Sequence, residues 1–146
     1  MEIIVKSFNE LTTTELYGIL KLRTEVFVVE QDCVYQDLDG KDKDALHVIG
    51  TKGGAVVAYT RIFDAGYYFK EASIGRVVVH SSERKYGYGR DIMRASVRAI
   101  HDRFKETTIR ISAQKYLITF YYSLGFKPTG AEYLEDGIPH INMIKE

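Results

Sequence analysis

The sequence Arg84-Lys85-Tyr86-Gly87-Tyr88-Gly89 lies between an apolar run, residues 74–79, and an amphipathic stretch that begins near Arg90. This order predicts a β-strand that enters a tight basic loop, which then becomes the first turn of a helix. The first N–H groups of a helix have no intrahelical partner, and the helix dipole places positive potential beside them. Two glycines let a ligand approach the backbone, and Arg84, Lys85 and Arg90 add charge. The stretch therefore predicts a phosphate or pyrophosphate site.

Two other phosphate-binding motifs are excluded by the spacing of the glycines. The dinucleotide fingerprint G-x-G-x-x-G requires a third glycine where Ile92 stands, and the run G-x-x-x-x-G-K-[ST] of nucleotide hydrolases occurs nowhere in the chain. Nicotinamide chemistry and nucleotide hydrolysis therefore lose support. By itself, the glycine pair is equally consistent with an ordinary strand–helix connection.

A wider set of motifs resembles a known family. The pattern R-x-x-G-x-G after Val77-Val78-Val79 resembles the acetyl-coenzyme A loop of the GNAT superfamily of N-acetyltransferases, and residues 120–126 resemble its F-Y-x-x-L-G-F element. The ElaA-like branch of these enzymes is similar to the chain in further segments, which are residues 22–31, 35–40, 45–47, 74–79 and 133–141. The resemblance thus covers nearly the whole chain in order.

Hydrophobic periodicity predicts an α/β fold with a mixed sheet and helices on both faces. The predicted strands are residues 2–8, 45–51, 55–64, 72–80, 107–112, 126–134 and 138–145. Helices are predicted after the capping box of Thr12 and Glu15, after the glycine loop and over residues 115–124, with a loop at residues 32–44. The GNAT resemblance implies a central twisted sheet in which the strand before the glycine loop and the strand after its helix are parallel neighbours. These strands would splay apart and hold the pantetheine arm of acetyl-coenzyme A in the wedge between them.

Composition limits the classes of protein and partner that fit the chain. Its 146 residues predict a single domain over residues 1–146. Twenty basic and twenty acidic side chains cancel, which argues against nucleic-acid or membrane partners. The single cysteine, Cys33, cannot form an internal disulfide, and the N-terminus lacks the apolar core of a signal peptide. We therefore expect a cytoplasmic protein.

The resemblance assigns most of the cofactor site to the strand and loop quoted above. Backbone amides of residues 84–90 would hold the pyrophosphate, and the main chain of Val77–Val79 would pair with the pantetheine amides. Tyr121 matches the position whose hydroxyl protonates the departing thiolate, and a phenol is protonated at neutral pH. The expected acetyl-coenzyme A contacts are Val77, Val78, Val79, Arg84, Lys85, Tyr86, Gly87, Tyr88, Gly89, Arg90, Gln114 and Tyr121.

The general base is less clear, because the strand before the glycine loop carries no carboxylate. The polar residues of the ElaA-like segments that could face the acceptor are Glu30, Asp39, His47, Glu135 and His140. Histidine titrates near neutral pH, which suits His47 and His140 to the role, but a water relay is equally consistent with the pattern. Arg23 and Arg76 could bind an acidic acceptor or pair with nearby carboxylates.

No metal site is expected. The segment Asp37-Leu38-Asp39-Gly40 begins like a calcium loop, but the required ligand and glycine are missing from its fifth and sixth positions. The histidines and Cys33 lack the spacing of zinc ligands.

The resulting hypothesis is an N-acetyltransferase that moves acetyl from acetyl-coenzyme A to a primary amine by direct attack in a ternary complex. The acceptor would be a small-molecule or peptide amine, and the resemblance allows a homodimer. Two alternatives stay open: a module that senses acyl-coenzyme A without turnover, and an interaction protein with a vestigial site.

Overall fold

In a computed structural model that describes all 146 residues, the chain forms one seven-stranded mixed sheet. Its order is β1-β2-β3-β4-β5-β7-β6, and only the β4–β5 pair is parallel. The predicted α/β fold with a mixed sheet is confirmed. The strands are β1 (Glu2–Ser7), β2 (Leu46–Lys52), β3 (Ala55–Phe63), β4 (Ala72–Val79), β5 (Ile109–Gln114), β6 (Lys127–Glu135) and β7 (Ile138–Lys145).

Three α-helices accompany the sheet: α1 (Thr13–Arg23), α2 (Tyr88–Ala99) and α3 (Ile118–Ser123). The first two continue without a break as π-helical segments, Thr24–Glu30 and Ile100–Phe104. Every helix falls short of the length and apolar character needed to cross a lipid bilayer. Single 3₁₀ turns cover Phe8–Glu10, Asp42–Asp44, Ser81–Tyr86 and Lys115–Leu117.

Helix α1 begins where the capping box predicts. The Glu15 N–H donates to Thr12 Oγ1 at 3.1 Å, and the Thr12 N–H donates to Glu15 Oε1 at 2.8 Å. Lys6 on β1 also pairs with Glu15 at 2.9 Å, which ties the start of the helix to the edge of the sheet. These contacts satisfy two otherwise free backbone donors, and a cap of this kind contributes about 1 kcal/mol.

The helices lie on both faces of the sheet, as predicted. On one face, α1 and its extension pack Ile19, Leu22 and Val26 against side chains of β2, β3 and β4. On the other face, α2 and α3 cover the larger core, which includes Ile92, Met93 and Tyr121. Both layers position the middle of the sheet, where β4 meets β5.

The parallel pair β4–β5 separates almost at once, which opens a wedge in the sheet. Only Ala72 with Ile109 and Ser73 with Arg110 are in register, and the strands run on without pairing. A bulge in β4 adds to the irregularity, because Arg61 lies opposite Gly75 while Tyr59 lies opposite Val78. The predicted splayed neighbours are therefore present, and the edges of both strands face an open groove.

The predicted boundary of β5 was wrong by two residues. The strand covers Ile109–Gln114 rather than residues 107–112, because Ser112–Gln114 pair with the antiparallel strand β7. This pairing outweighs the local sequence preference. Gln114 consequently ends a strand instead of beginning the following helix.

Candidate active site

A groove of about 460 Å³ occupies the wedge between β4 and β5. It runs from the glycine loop to α3, and the extension of α1 forms one wall. Because neither strand edge is paired here, backbone groups of β4 are free to bind a ligand in the manner of an added strand. The lining residues are Val26, Phe27, Gln31, Val77, Val78, Val79, Arg84, Gly87, Gly89, Arg90, Gln114, Tyr116, Leu117, Phe120 and Tyr121.

The glycine loop places the start of α2 at the mouth of this groove. Gly87 has φ +75° and precedes the first helical residue, and a Cβ built there would meet no atom within 4 Å. The Asp91 N–H already donates to the Gly87 carbonyl at 3.2 Å. The free N–H donors of the first turn are therefore those of Tyr88, Gly89 and Arg90. The residues before Gly87 already form the 3₁₀ turn, so these donors are a subset of those predicted at residues 84–90.

Arg84 lines the groove but is not a free cation. Its two terminal nitrogens donate to the Glu30 carboxylate at 2.5 and 2.9 Å, and its Nε donates to the Val79 carbonyl at 3.1 Å. The same contact holds the pKa of Glu30 below its usual range. Glu30 therefore acts as a counter-ion for the loop, at a distance from the predicted acceptor side.

The other basic and aromatic residues of the loop differ in where they point. Arg90 lines the groove and donates to Ser123 Oγ at 3.0 Å. Lys85, Tyr86 and Tyr88 do not line it. The Tyr86 ring instead lies 4.2 Å from the Lys52 ammonium, on the outside of the loop. Only part of the predicted cofactor set thus borders the groove through side chains.

Tyr121 lies at the inner end of the groove. Its ring makes edge contacts with Phe120 and Phe126, with centroids 5.2 and 6.2 Å away, and its hydroxyl makes no hydrogen bond within the protein. Burial raises the pKa of Tyr121, so the phenol stays protonated through the neutral range. The side chain borders both the groove and a second opening.

This second opening, called here the inner cavity, holds about 100 Å³ and lies beyond Tyr121. It shares Phe27, Gln31, Val77, Gln114, Leu117 and Tyr121 with the groove, so the two spaces meet at these side chains. Gln31 Nε2 donates to Gln114 Oε1 at 3.2 Å and bridges the extension of α1 and the end of β5. The remaining lining is Cys33, Tyr35, Ile74, Gly75, Arg76, Ile111, Ser112, Glu135, Asp136, Ile138 and His140.

Sheet register brings His140 to this cavity. On β7 it lies between Gln114 of β5 and Tyr133 of β6, and directly opposite residues share a face of the sheet. His140 is 6% exposed, its Nδ1 lies 2.7 Å from the Ile138 carbonyl, and its ring stacks on Tyr133. The carbonyl can only accept, so Nδ1 carries the hydrogen of the neutral ring. Nε2 is then left as a proton acceptor, 3.4 Å from the Glu135 carboxylate.

His47 lies elsewhere, inside the layer between α1 and the sheet. It is 1% exposed, and its ring nitrogens contact the Tyr59 hydroxyl at 2.6 Å and the Asp42 carbonyl at 2.9 Å. Burial lowers the pKa of His47, which favours the neutral ring. It borders neither opening, so the geometry gives it a structural position rather than the predicted one beside the acceptor.

The predicted loop at residues 32–44 is fixed by a cluster of six charges. Arg23 donates to Asp37 and Asp42 at 2.8 Å, and Arg61 bonds Asp39 at 2.8 Å and Asp42 at 3.0 Å. Arg76 Nη2 donates to the Asp37 carbonyl at 2.9 Å. All three arginines therefore pair with carboxylates of the protein. Of the two predicted roles of Arg23 and Arg76, the structure shows pairing with nearby aspartates. Asp39 is held as a counter-ion: burial by itself would raise its pKa, but hydrogen bonds from Arg61 outweigh this effect and lower the pKa.

Sequence reasoning missed several residues that border the openings, among them Phe27, Gln31 and Ser112. Phe27 and Gln31 lie on or next to the π-helical extension of α1, whose wider turn changes which side chains face the sheet. No group of three or more histidine, cysteine, aspartate or glutamate side chains is arranged to hold a metal.

Comparison with known proteins places this geometry in a family. The sequence model described as Acetyltransferase (GNAT) domain matches residues 10–146. Protein ElaA of Escherichia coli is 40% identical over 140 residues, which cover 94% of this chain and 92% of ElaA. A UPF0039 protein of Schizosaccharomyces pombe is 42% identical over 98% of this chain and 95% of its own length. A crystal structure of an acyl-CoA N-acyltransferase from Pseudomonas aeruginosa superposes with a TM-score of 0.93, at 39% identity and over all of both chains.

Proposed function

Because the chain belongs to the GNAT acetyltransferase family, we propose that it moves the acetyl group of acetyl-coenzyme A to a primary amine by direct attack in a ternary complex. The observation that carries this proposal is the early separation of β4 from β5, which joins the glycine loop to Tyr121 through one groove. The acceptor is a small-molecule or peptide amine that enters through the inner cavity. With a single cysteine in the chain, we place the reaction in the cytoplasm.

The groove suits the shape and charge of acetyl-coenzyme A. Its volume falls within the usual range of about 300–1,000 Å³ for small-molecule sites. We assign the pyrophosphate to the free N–H groups of Tyr88–Arg90. We assign the pantetheine amides to the edge of Val77–Val79 that faces away from β3, where the Val79 carbonyl already accepts from Arg84. Apolar side chains such as Val26 and Phe120 border the rest of the path.

The chemistry needs a proton acceptor for the amine and a proton donor for the thiolate. The acceptor arrives as an ammonium ion, and we assign its first proton to Nε2 of His140. The neutral amine then attacks the thioester carbonyl, which forms the C–N bond and breaks the C–S bond. Tyr121 gives its proton to the departing thiolate and regains one from the amide nitrogen through solvent. The products are the N-acetyl amine, the free thiol of coenzyme A and one released proton.

Burial keeps Tyr121 protonated until the thiolate forms. A desolvated phenol has a raised pKa, but the same apolar surroundings also raise the pKa of a thiol. Because burial raises both, the pKa of the Tyr121 phenol and the pKa of the coenzyme A thiol differ less than they would if only the tyrosine were buried. Of the proposed bases, His140 is favoured because Glu30 is bonded to Arg84 and His47 is enclosed.

Two measurements on the purified full chain test this function. Isothermal calorimetry with coenzyme A should show binding, and a thiol-release assay with acetyl-coenzyme A and a panel of amines should show turnover. Binding without thiol release from any amine would replace the enzyme with an acyl-coenzyme A sensor. If coenzyme A produced neither heat nor a thermal shift, the groove assignment would fail.

A further inference from the structure

The inner cavity carries a local charge that differs from the neutral total of the chain. We infer that the acceptor bears a second positive charge besides the amine that is acetylated, and that Asp136 and Glu135 bind it. This inference rests on the proposed function, because it assigns the acceptor to the inner cavity. It narrows the acceptor to diamines, polyamines and similar cationic amines.

Two carboxylates that line the cavity have no lysine or arginine partner. Arg76 lines the cavity, but Asp37 and Asp39 neutralise it within the six-charge cluster. Glu135 and Asp136 also line the cavity, and neither pairs with a lysine or arginine. The net potential is therefore negative, and no free cation is left to bind an acidic acceptor.

A buried histidine in the same cavity independently indicates a ligand. His140 is more than nine-tenths buried, yet its Nε2 makes no hydrogen bond and only approaches Glu135 at 3.4 Å. Nε2 itself is not one of the fully enclosed polar atoms of the protein, so it faces the cavity, where a ligand can reach it. The reacting ammonium would supply a donor at this nitrogen, next to Tyr121. Asp136, in the turn after β6, is exposed and lines the same cavity.

A smaller opening extends the inner cavity away from Tyr121. It holds about 60 Å³ and shares Ile74, Gly75, Arg76, Ser112 and Glu135 with the inner cavity. Its outer wall is aromatic, formed by Phe63, Tyr68 and Phe69. Cations of the protein already lie near all three rings, with Arg61 5.1 Å from Phe63, Lys41 5.9 Å from Tyr68 and Arg110 5.7 Å from Phe69. The carboxylates of Glu135 and Asp136 therefore carry the recognition of the second charge, and this opening provides room for the rest of the acceptor.

Matched substrates provide the test. Each diamine from 1,3-diaminopropane to 1,6-diaminohexane is compared in the thiol-release assay with the monoamine of the same length, such as 1,5-diaminopentane with pentylamine. At least one diamine should have a kcat/KM about 10-fold above its monoamine, since a hydrogen bond to a charged group is worth about that factor.

Asp136→Asn should remove most of this preference, because it should lower the kcat/KM of each diamine far more than that of its monoamine. Asp136 has φ +52°, a conformation that asparagine also adopts, so the variant loses charge without backbone strain. Asp102→Asn, an exposed change near the end of the α2 extension, is the control. Glu135→Gln should also lower the kcat/KM of the diamine relative to its monoamine, because it removes the other unpaired carboxylate.

The outcomes separate this inference from the proposed function. Turnover with equal rates for every diamine and monoamine, unaffected by Asp136→Asn, would overturn the second charge and leave the acetyltransferase intact. No turnover with any amine would remove the proposed function. In that case, calorimetry of the coenzyme A complex with 1,5-diaminopentane still decides: tighter binding to wild type than to Asp136→Asn supports the carboxylate site, and equal or absent binding rejects it.

Discussion

The two openings that meet at Tyr121 differ in the groups that they offer to a ligand. The groove presents backbone donors at the start of α2, the unpaired edge of β4 and apolar side chains. The inner cavity presents titratable side chains, with His140, Glu135 and Asp136 on one wall. One side therefore depends on the path of the main chain, and the other on the identity of particular side chains.

This difference suggests a division of labour within one sheet. A backbone site suits a ligand whose phosphates and amides are always the same, because side-chain changes leave the donors in place. A side-chain site can be altered residue by residue to suit a particular acceptor. Variants on one side should consequently leave ligand binding on the other side unchanged, and each prediction below tests that separation.

The largest effect is expected for Gly87→Glu. The added carboxylate would stand beside the pyrophosphate position, and like charges in contact cost several kcal/mol, so we expect coenzyme A to bind about 1,000-fold more weakly. Calorimetry measures the loss directly. Gly130→Glu is the matched control, because Gly130 also has positive φ and open space around it but lies on the edge strand β6.

Both glutamate variants carry the same strain of about 1–2 kcal/mol from the left-handed backbone. Thermal unfolding should therefore show similar losses in the two proteins, while only Gly87→Glu loses coenzyme A. Equal binding by both variants would show that the start of α2 does not hold the pyrophosphate.

Tyr121→Phe tests the junction of the two openings. The variant keeps the ring and its contacts with Phe120 and Phe126 but lacks the donor, so kcat should fall by about 300-fold. The dissociation constant of coenzyme A and the KM of the amine should change little, since the hydroxyl makes no hydrogen bond within the protein. Phe126→Leu serves as the control for a change in packing alone, because Phe126 contacts the Tyr121 ring but does not line the groove. An unaltered kcat would remove Tyr121 from proton transfer.

His140→Asn tests the role of the side chains that line the inner cavity. The asparagine amide can still donate to the Ile138 carbonyl, but it cannot take a proton, so kcat/KM for the amine should fall by about 100-fold. We expect a smaller loss than for Tyr121→Phe, because solvent in the more open cavity can accept part of the proton. His101→Asn, at an exposed position, should retain the wild-type kcat/KM, and so would His140→Asn if another group were the base.

The same difference explains what the sequence could predict. The glycine loop follows from one short motif, since glycine spacing and a strand–helix transition lie within a few consecutive residues. The splayed strands and the position of Tyr121 were expected from the resemblance to the GNAT superfamily. These segments also form much of the wall of the groove, so fold and groove were both anticipated.

The inner cavity could not be anticipated in the same way. Ser112 and His140 are far apart in the chain and meet because β7 pairs with β5. Tyr35 reaches the same cavity from the loop at residues 32–44. His47 and His140 were equivalent in sequence and both are buried, but His47 is enclosed by Tyr59 and Asp42 while His140 faces an opening. The prediction for Arg84 was also incomplete, because its partner Glu30 lies more than fifty residues away in the chain.

Glu30→Gln should have the smallest effect of these variants. Unlike Gly87→Glu, it should raise the affinity for coenzyme A. Removing a negative charge beside the pyrophosphate position should tighten coenzyme A binding by about 2–5-fold, in line with exposed ion pairs of 0.2–1 kcal/mol. High salt should reduce the difference, because both side chains are well exposed. Glu25→Gln, on the same helical extension but paired with Lys21, is the control.

The pH dependence of coenzyme A binding provides a second test of the direction of this effect. Arg84 lowers the pKa of Glu30, so the carboxylate stays charged as the pH falls and loses its charge only below its ordinary range. Wild type and Glu30→Gln should thus differ in coenzyme A affinity at neutral pH and converge only in strong acid. Weaker binding by the variant at neutral pH would mean that the Glu30–Arg84 pair shapes the groove rather than competing with the phosphates. The backbone site would then depend on a side-chain pair after all, and the contrast between the two openings would narrow.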